Sequence, residues 1–334
     1  MDRNKTIDVC ALGHAIVDLQ ISVSEGVFST LNLTRGRMCL VSEEDQEKLL
    51  ESLNEFPLSR CSGGSAANSV IILSQLGGRG AFFGVTGSDQ YGKFYNQEMK
   101  QLGIELPVSS RHNKPTGTCL IVITPDAERT MNTCLGAASD LGPADLSESI
   151  IARSNWLYIE GYLLMSPQGP ELVRSAIDLA ERNKTKIAIS CSDSFLVDVV
   201  GDLLREVVAK SDLVFANAAE ICKLTEKDNV SDAFAAIKDE TRSYVITKGA
   251  AGVLVKWDSE IVELPGIVVK ALDTTGAGDM FAGGFLYGIN HGYALKDSAG
   301  LANLLASQIV GQLGARLAKK IEGIDGINNF LKHN

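Results

Sequence analysis

The chain has 334 residues, of which 45% are hydrophobic and 22% charged, a composition typical of a globular protein with a sizeable core. Its formal net charge is −10 and no cluster of basic residues stands out, so we expect no nucleic-acid partner. The seven cysteines are scattered and form no CxxC pair. This argues against a disulfide framework or a zinc site and favours the reducing cytoplasm.

The first predicted element is a strand region from Thr6 to Val23, broken at Gly13 and His14. Its near-continuous apolar run is typical of a buried strand. Asp8 and His14 interrupt the run, so it fits neither a secretory leader nor a membrane span. Asp18 is a carboxylate within strand-like sequence, and on its own it is best explained as an edge-strand charge that faces water. His14 is interpreted as an incidental neighbour.

Two helices are predicted next. Ser42 precedes the segment EEDQEKLLESLNEF, where it is a good N-cap for a surface helix with one leucine stripe. Residues 61–78 read CSGGSAANSVIILSQLGG, in which glycines and small residues lead into an apolar helix that ends at a glycine pair. From the residues alone, this second helix is interpreted as one that packs tightly against a sheet.

Residues 87–93, GSDQYGK, nearly form a Walker A loop, but Phe94 follows where the Mg²⁺-binding hydroxyl would stand, so we reject a P-loop. Residues 115–135, PTGTCLIVITPDAERTMNTCL, contain two strand-like runs around a Pro-Asp turn and predict a hairpin. The apolar residues that could offer a covering surface there are Leu120, Val122, Met131 and Leu135, although the alternation of a strand turns half of such side chains away and the sequence does not say which half.

From Asn155 onward, strands and helices alternate. The strand-like segments NWLYIEG, KIAISC, DLVFAN and SYVITKG are separated by helical stretches, which predicts a parallel sheet covered on both faces. Ligands collect at the C-terminal strand ends of such sheets. Asn217 and Glu220 follow one strand end with N-x-x-E spacing, although an N-cap and an ordinary helix residue would give the same pattern.

The most informative stretch is residues 271–288, ALDTTGAGDMFAGGFLYG. Gly276 and Gly278 permit a tight turn close to a ligand, and the first N–H groups of a helix starting there would form an anion site. Asp279 would lie in the first turn, where a carboxylate can take a proton from an attacking hydroxyl. A lone G-x-G-D is more often a plain turn with a dipole-matching aspartate, so the longer string decides.

DTTGAGDMFAGGFLYG and GGSAAN resemble the two signatures of the ribokinase-like (PfkB) family of carbohydrate and nucleoside kinases, and the resemblance covers essentially the whole chain. It implies an α/β fold with a three-layer, doubly wound, mostly parallel sheet and a small β-sheet lid. Residues 1–334 would form one kinase domain, with a discontinuous lid at roughly 14–42 and 115–135. The implied reaction is transfer of the ATP γ-phosphate to a primary hydroxyl.

The resemblance also implies roles for individual residues. Asp279 would be the catalytic base, and the amides of Gly276, Ala277 and Gly278 would form the anion hole. Mg²⁺ would bridge the phosphates, ordered through water by Glu220, and Asp273 and Thr275 are the positions offered to a monovalent cation such as K⁺. The remaining implied positions are Asp18, Gly64 and Asn68 for the acceptor, and Asn217, Thr247, Gly249 and Asn303 for ATP.

For some of these residues, the sequence also permits another interpretation. A carboxylate such as Asp18 suits a vicinal diol, because its two oxygens can each accept a hydroxyl proton. Asn303 is expected beside the ATP base, but it also fits a polar position on a half-buried helix. Arg129 is interpreted either as a lid residue that reaches a phosphate or as a solvated turn charge.

GGSAAN, with Ser65 where ribokinases have Lys, together with PTGTC and the SDSF segment at 192–195, resembles adenosine kinases, including their bacterial members. We therefore expect a nucleoside acceptor, adenosine first. A ribokinase- or fructokinase-type sugar kinase is the alternative, and a regulator that kept the fold but lost turnover is a further one. No G-x-G-x-x-G follows an early strand, which disfavours a nicotinamide oxidoreductase. The expected protein is cytoplasmic, a monomer or homodimer, without membrane partners.

Overall fold

The structure is a computed structural model that describes residues 5–240, 242–317 and 320–331. Its strands and helices are numbered in chain order. The strands are β1 Ile7–Leu12, β2 Ile16–Ser22, β3 Met38–Leu40, β4 Leu58–Gly63, β5 Gly80–Phe83, β6 Gly117–Ile123, β7 Arg129–Cys134, β8 Ser154–Glu160, β9 Lys186–Ser190, β10 Leu213–Asn217, β11 Ser243–Thr247, β12 Val253–Trp257 and β13 Glu260–Leu264. The helices are α1 Glu25–Thr30, α2 Glu43–Ser52, α3 Ser65–Gln75, α4 Gln90–Gln101, α5 Glu148–Arg153, α6 Gly169–Arg182, α7 Ser194–Lys210, α8 Ala218–Thr225, α9 Val230–Ile237, α10 Ala277–Asn290, α11 Leu295–Val310 and α12 Asn328–Leu331.

The larger sheet has the strand order β13-β12-β11-β10-β9-β8-β1-β5. Neighbouring strands are parallel from β5 to β11, whereas β12 at one edge pairs antiparallel with both β11 and β13. Parallel strands need crossover helices, and these cover both faces. The predicted three-layer, mostly parallel α/β fold is confirmed.

Two separate cores explain why the strands of this sheet read as continuous apolar runs. On β1, Val9 and Ala11 pack with helices α3, α10 and α11, whereas Cys10 and Leu12 pack with residues of α6 and α8 on the opposite face. Successive side chains of a strand point to opposite faces, so a strand buried on both faces has no polar alternation. The sheet is therefore buried between two helical layers.

The second sheet has the order β3-β7-β6-β2-β4 and forms the predicted lid. Its hairpin β6–β7 is antiparallel, as the Pro-Asp turn predicts, while β2 runs parallel to β6. It also includes β4, which the sequence pattern did not assign to the lid. Strand β2 lies between β4 and β6, and Asp18 is 9% exposed, so the interpretation of Asp18 as a water-facing edge charge is wrong.

Helix α3 and helix α10 pack closely enough to touch through their backbones. A Cβ on Gly283 would lie 2.2 Å from the carbonyl oxygen of Ser69, so only glycine permits this approach. The two helices carry the two family-like signatures, and their contact brings the N-termini of both to the same end of the large sheet. Over the described ranges, no helix is both long and apolar enough to cross a membrane.

Candidate active site

A cavity of about 900 Å³ lies where the C-terminal ends of the parallel strands face the small sheet. Its lining includes most of the residues that the sequence predicts for the site. From the small sheet and the start of α3 come Asp18, Gly64 and Asn68; from the strand ends come Asn217, Glu220, Thr247 and Gly249; from the start of α10 come Thr275, Gly276, Ala277, Gly278 and Asp279. Residues distant in sequence therefore meet in one place.

Helix α10 begins in the turn that the glycines permit. Gly276 has φ +78°, and a Cβ there would lie 2.9 Å from the Cα of Ala315, so both conformation and space require glycine. The Ala277 N–H is used to close the turn, donating to Thr274 O at 3.2 Å. Among the described residues, the N–H groups of Gly276 and Gly278 have no acceptor. Gly278 and the positive end of the helix therefore remain available to an anion.

Two α3 side chains hold the Asp279 carboxylate. Ser65 Oγ donates to Oδ1 at 2.6 Å, and Asn68 Nδ2 donates to Oδ2 at 3.0 Å. Burial raises the pKa of Asp279 to about 6, although these two hydrogen bonds lower it. A carboxyl group with this pKa is ionised at neutral pH yet binds a proton more readily than a solvated aspartate does, which suits a general base.

Asp18 presents an unpaired carboxylate to the cavity. Within the described residues it makes no hydrogen bond, and its register neighbours are Cys61 on β4 and Cys119 on β6. Burial raises the pKa of Asp18 to about 7, opposed by the charges of Arg129 and Arg316. In the ionised form, both oxygens are free to accept hydrogen bonds from the hydroxyl groups of a bound acceptor.

Gly64 and Asn68 stand at the start of α3. Gly64 has φ +103°, and a Cβ there would lie 2.1 Å from His14 O. Asn68 was predicted to bind a ribose-type hydroxyl, but its amide nitrogen is committed to Asp279, while its Oδ1 is buried without a partner in the described chain. Its role in binding a hydroxyl group of the acceptor stays a prediction.

Asn217 and Glu220 form a reciprocal cap at the start of α8. The Asn217 Oδ1 accepts the Glu220 N–H at 2.9 Å, and the Glu220 carboxylate accepts the Asn217 N–H at 2.9 Å and its Nδ2 at 2.7 Å. Burial raises the pKa of Glu220 to about 7. Each carboxylate oxygen keeps a lone pair, so this donor set fits a Mg²⁺ ion held through water. In the part of the chain that is described, no three acidic, His or Cys side chains are grouped for direct metal ligation.

Asp273 lies behind the anion-site turn and is already neutralised by Arg129. Its Oδ1 accepts the Thr275 N–H at 2.9 Å, and its Oδ2 accepts the Gly314 N–H at 2.8 Å and lies 3.1 Å from Arg129 Nη1. Arg129 is 5% exposed, so its interpretation as a solvated turn charge is wrong. Because a guanidinium already occupies the cation side of this carboxylate, the residues present do not fit a K⁺ ion held by Asp273 and Thr275.

The predicted ATP positions are only partly brought together. Asn217 and Thr247 are register partners at the ends of β10 and β11, and Gly249 follows with φ +56°. Asn303, by contrast, does not line the cavity. Its side-chain Nδ2 donates to Pro265 O at 2.8 Å, which ties helix α11 to the segment after β13.

The sequence analysis missed Glu160 and Ser166 and underrated His14. All three line the cavity. His14 Nδ1 lies 2.9 Å from Glu160 Oε1, and His14 Nε2 lies 2.8 Å from Ser166 Oγ. The available signal was Glu160 itself, an acidic residue at the end of the otherwise apolar strand NWLYIEG.

The structure also decides which apolar side chains of the small sheet face the cavity. Met131 and Leu135 line the cavity as expected, but Leu120 and Val122 are fully buried in the core on the other side of the small sheet. Their places are taken by Cys119 and Ile121. The side chains of β6 alternate, and the sequence did not show which half faces the site.

The chain is similar to known proteins over most of its length. The chain is 25% identical over 324 residues to adenosine kinase 1 of Arabidopsis thaliana, covering 90% of this chain and 92% of that protein. Among solved structures, adenosine kinase from Sinorhizobium meliloti has 32% identity and a TM-score of 0.85, covering 94% of this chain and 97% of the other. A probable sugar kinase from Rhizobium etli CFN 42 has 31% identity and a TM-score of 0.86, covering 95% and 96%.

A family model described as pfkB family carbohydrate kinase matches residues 36–321, which is most of the chain. The predictions of a ribokinase-like fold and of a phosphotransferase acting on a hydroxyl group are confirmed. The chain therefore belongs to the PfkB family.

Proposed function

We propose that this protein, as one kinase domain over residues 1–334, transfers the γ-phosphate of ATP to the primary hydroxyl of a nucleoside, with adenosine preferred. The observation that carries the proposal is the placement of two differently equipped carboxylates, Asp18 and Asp279, in one cavity. Asp18 has free oxygens, whereas Asp279 is held by two hydrogen bonds beside a helix N-terminus. One can hold the acceptor while the other acts on it.

In the proposed reaction, Asp18 accepts hydrogen bonds from the two vicinal hydroxyls of the ribose. Asp279 accepts the proton of the primary hydroxyl as its oxygen attacks the γ-phosphorus, and the bond to the ADP oxygen breaks. The Gly278 N–H and the positive end of α10 face the charge that develops on the transferred phosphoryl group. Mg²⁺, when bound with ATP and ordered through water by Glu220, would neutralise part of the phosphate charge.

The lid supports a nucleoside over a free sugar. Apolar side chains of the small sheet face the cavity, namely Ile16, Met38, Leu40, Cys119, Ile121, Met131 and Leu135. A flat base offers apolar area to such a surface, at roughly 25 cal/mol for each Å² buried, whereas a free sugar offers little. Ser65, which stands where ribokinases have a Lys, adds no charge and is engaged with Asp279.

The sugar kinase alternative keeps one specific observation in its favour, since the similar Rhizobium etli structure is named as a probable sugar kinase. A regulator without turnover is disfavoured, because Asp279, its two hydrogen bonds and the turn at Gly276 are all in place. We also propose that the protein acts in the cytoplasm as a monomer or homodimer, without nucleic-acid or membrane partners, in keeping with its net charge of −10.

A competition assay tests the proposal. Adenosine, inosine, ribose and fructose are supplied at equal concentration with ATP and Mg²⁺, and the phosphorylated products are separated and quantified. We expect AMP as the main product and a higher kcat/KM for adenosine than for either sugar. A sugar phosphate as the main product, with adenosine untouched, would establish the alternative, and no phosphorylated product with any acceptor would favour the regulator.

A further inference from the structure

We propose that Glu160 is a positioning residue for Asp279, which anchors the helix that holds this carboxylate and sets the charge that the carboxylate faces. This inference rests on the function proposed above, in which Asp279 is the base. It concerns a group that is 2% exposed and forms an ion pair with no Lys or Arg of the described chain. A buried carboxylate of this kind is costly unless other groups compensate it.

The first compensating group is the N-terminus of α3. Glu160 Oε2 accepts the Ala66 N–H at 3.0 Å, and Ala66 lies in the first turn of that helix. A carboxylate is favourable there, because the helix dipole is positive at this end and the N–H groups have no partner within the helix. The fit leaves no spare room, since a Cβ on Gly13 would lie 2.5 Å from Oε2.

The second compensating group is His14. An ionised carboxylate can only accept, so the Nδ1 of His14 carries the hydrogen that it shares with Glu160 Oε1 at 2.9 Å. In the neutral ring, Nε2 then accepts from Ser166 Oγ at 2.8 Å. Both ring nitrogens are occupied, which leaves His14 no free nitrogen for a substrate. Its function is therefore to hold Glu160 in place.

Helix α3, anchored by Glu160, in turn fixes the position of Asp279 through three hydrogen bonds. Ser65 and Asn68 bond the two carboxylate oxygens, and Ser69 Oγ donates to the backbone oxygen of Asp279 at 3.1 Å. All three belong to α3, whose first turn Glu160 fixes. A shift of that turn would displace the base relative to the attacking hydroxyl, and errors of this size can reduce rates strongly.

Glu160 also contributes charge. Burial raises the pKa of Asp279 most, the hydrogen bonds from Ser65 and Asn68 lower it, and the negative charge of Glu160 raises it by a smaller amount. The charge of Asp279 in turn helps to raise the pKa of three nearby groups, which are Asp18 on β2, Tyr158 on β8 and Tyr162 just beyond it. Burial raises the pKa of both tyrosines, so both are neutral at working pH. Glu160 thus keeps Asp279 a stronger base than its hydrogen bonds alone would allow.

Two variants separate charge from position. Glu160→Gln keeps an acceptor oxygen but removes the charge, so we expect the acidic limb of the kcat profile, measured at saturating adenosine so that Asp18 is occupied, to move to lower pH by about half a unit to one unit, with kcat about three- to tenfold lower. Glu160→Asp keeps the charge but shortens the side chain, so we expect kcat at least about fivefold lower with the limb unmoved. The KM for ATP should stay within about twofold of the wild-type value in both.

Asp8→Asn is the matched control, because Asp8 is a buried carboxylate at the opposite end of the same sheet, bonded to Arg79. We expect it to lower the melting temperature and leave the pH profile unchanged. An unmoved limb in Glu160→Gln together with normal kcat in Glu160→Asp overturns the inference. Should Glu160→Gln fail to fold, normal kcat in Glu160→Asp alone overturns it. Loss of turnover in Asp279→Asn is measured alongside, since normal turnover there would refute the proposed base itself.

Discussion

The two walls of the cavity hold their polar groups in different ways. On the α10 wall, Gly276, Gly278 and Asp279 are neighbours in sequence, and a tight turn fixes their geometry through the backbone. On the small-sheet wall, Asp18 lies at the centre of a row with Cys61 and Cys119, contributed by three strands from distant parts of the chain. The chemistry of the first wall is encoded locally, whereas that of the second depends on strand register and on which face each side chain takes.

The largest effect should come from the locally encoded wall. Asp279→Asn keeps the size of the side chain but removes the base, so we expect kcat to fall by roughly 10²–10⁴-fold while ATP binding, measured by calorimetry, stays the same. Asp297→Asn provides the control, because Asp297 is an exposed acidic residue in the first turn of the neighbouring helix α11. Near-normal turnover in purified Asp279→Asn would refute the assignment of the base.

The opposite wall should respond in acceptor binding. Asp18→Ala would remove the two charge-assisted hydrogen bonds that we propose to the acceptor, each worth roughly 1.5–3 kcal/mol, so we expect kcat/KM for adenosine to fall by at least about 10²-fold, mainly through KM. The KM for ATP should change little. Asp126→Ala, in the exposed turn of the same small sheet, is the control. A raised ATP KM with an unchanged adenosine KM would place Asp18 at the wrong substrate.

The sequence predicts the locally encoded features of the site well and those built from distant segments poorly. The glycine turn at Gly276, the place of Asp279 in the first turn of α10, the Asn217–Glu220 cap and the parallel strands could all be predicted, because each depends on a short contiguous pattern. The pairing of Glu160 with Ala66 joins residues 94 positions apart, and no local pattern marks it. The pairing of Arg129 with Asp273 is equally invisible, and it is this contact that makes the predicted K⁺ position a poor fit.

Strand β6 shows why the sequence could not reveal which face of the small sheet lines the site. Every residue from Gly117 to Ile123 is buried, because one face of the strand packs against the core and the other lines the cavity. The usual alternation of apolar and polar residues is therefore absent, and that alternation is what reveals the inward face of a strand. The folded structure shows that Ile121 lines the cavity, whereas Leu120 packs in the core.

These two neighbours give the next prediction. Leu120→Ala should lower the free energy of unfolding by about 2–5 kcal/mol with little change in the KM for adenosine, because it opens a hole in the core. Ile121→Ala should raise that KM by about three- to tenfold, since it removes apolar area from the cavity wall. Denaturant unfolding and steady-state kinetics on both variants test this. The reverse result would mean that the small sheet presents its other face to the acceptor.

The smallest expected effect concerns the stability of the α10 wall, where the buried Asp279 makes the free energy of unfolding depend on pH. The pKa of Asp279 is raised in the folded protein from 3.8 to about 6, so the folded state binds the proton more tightly than the unfolded state. The stabilising contribution of the protonated group is complete below pH 4 and is lost as the pH rises through about 6. Above that pH, the native protein carries a partly buried charge that Asn would not have.

Asp279→Asn should therefore be as stable as the wild type, or slightly less stable, near pH 4, where the native carboxyl group is protonated. Near pH 8 it should be more stable by about 1–2 kcal/mol. This is less than the roughly 3 kcal/mol that a shift of about two pKa units would give at 1.36 kcal/mol per unit, because cavity water screens the charge. Denaturant unfolding at both pH values measures the difference, with Asp297→Asn expected to stay within about 0.5 kcal/mol of the wild type. An advantage that does not grow with pH would mean that Ser65 and Asn68 fully compensate the ionised carboxylate, and that the site holds no unfavourable charge in its resting state.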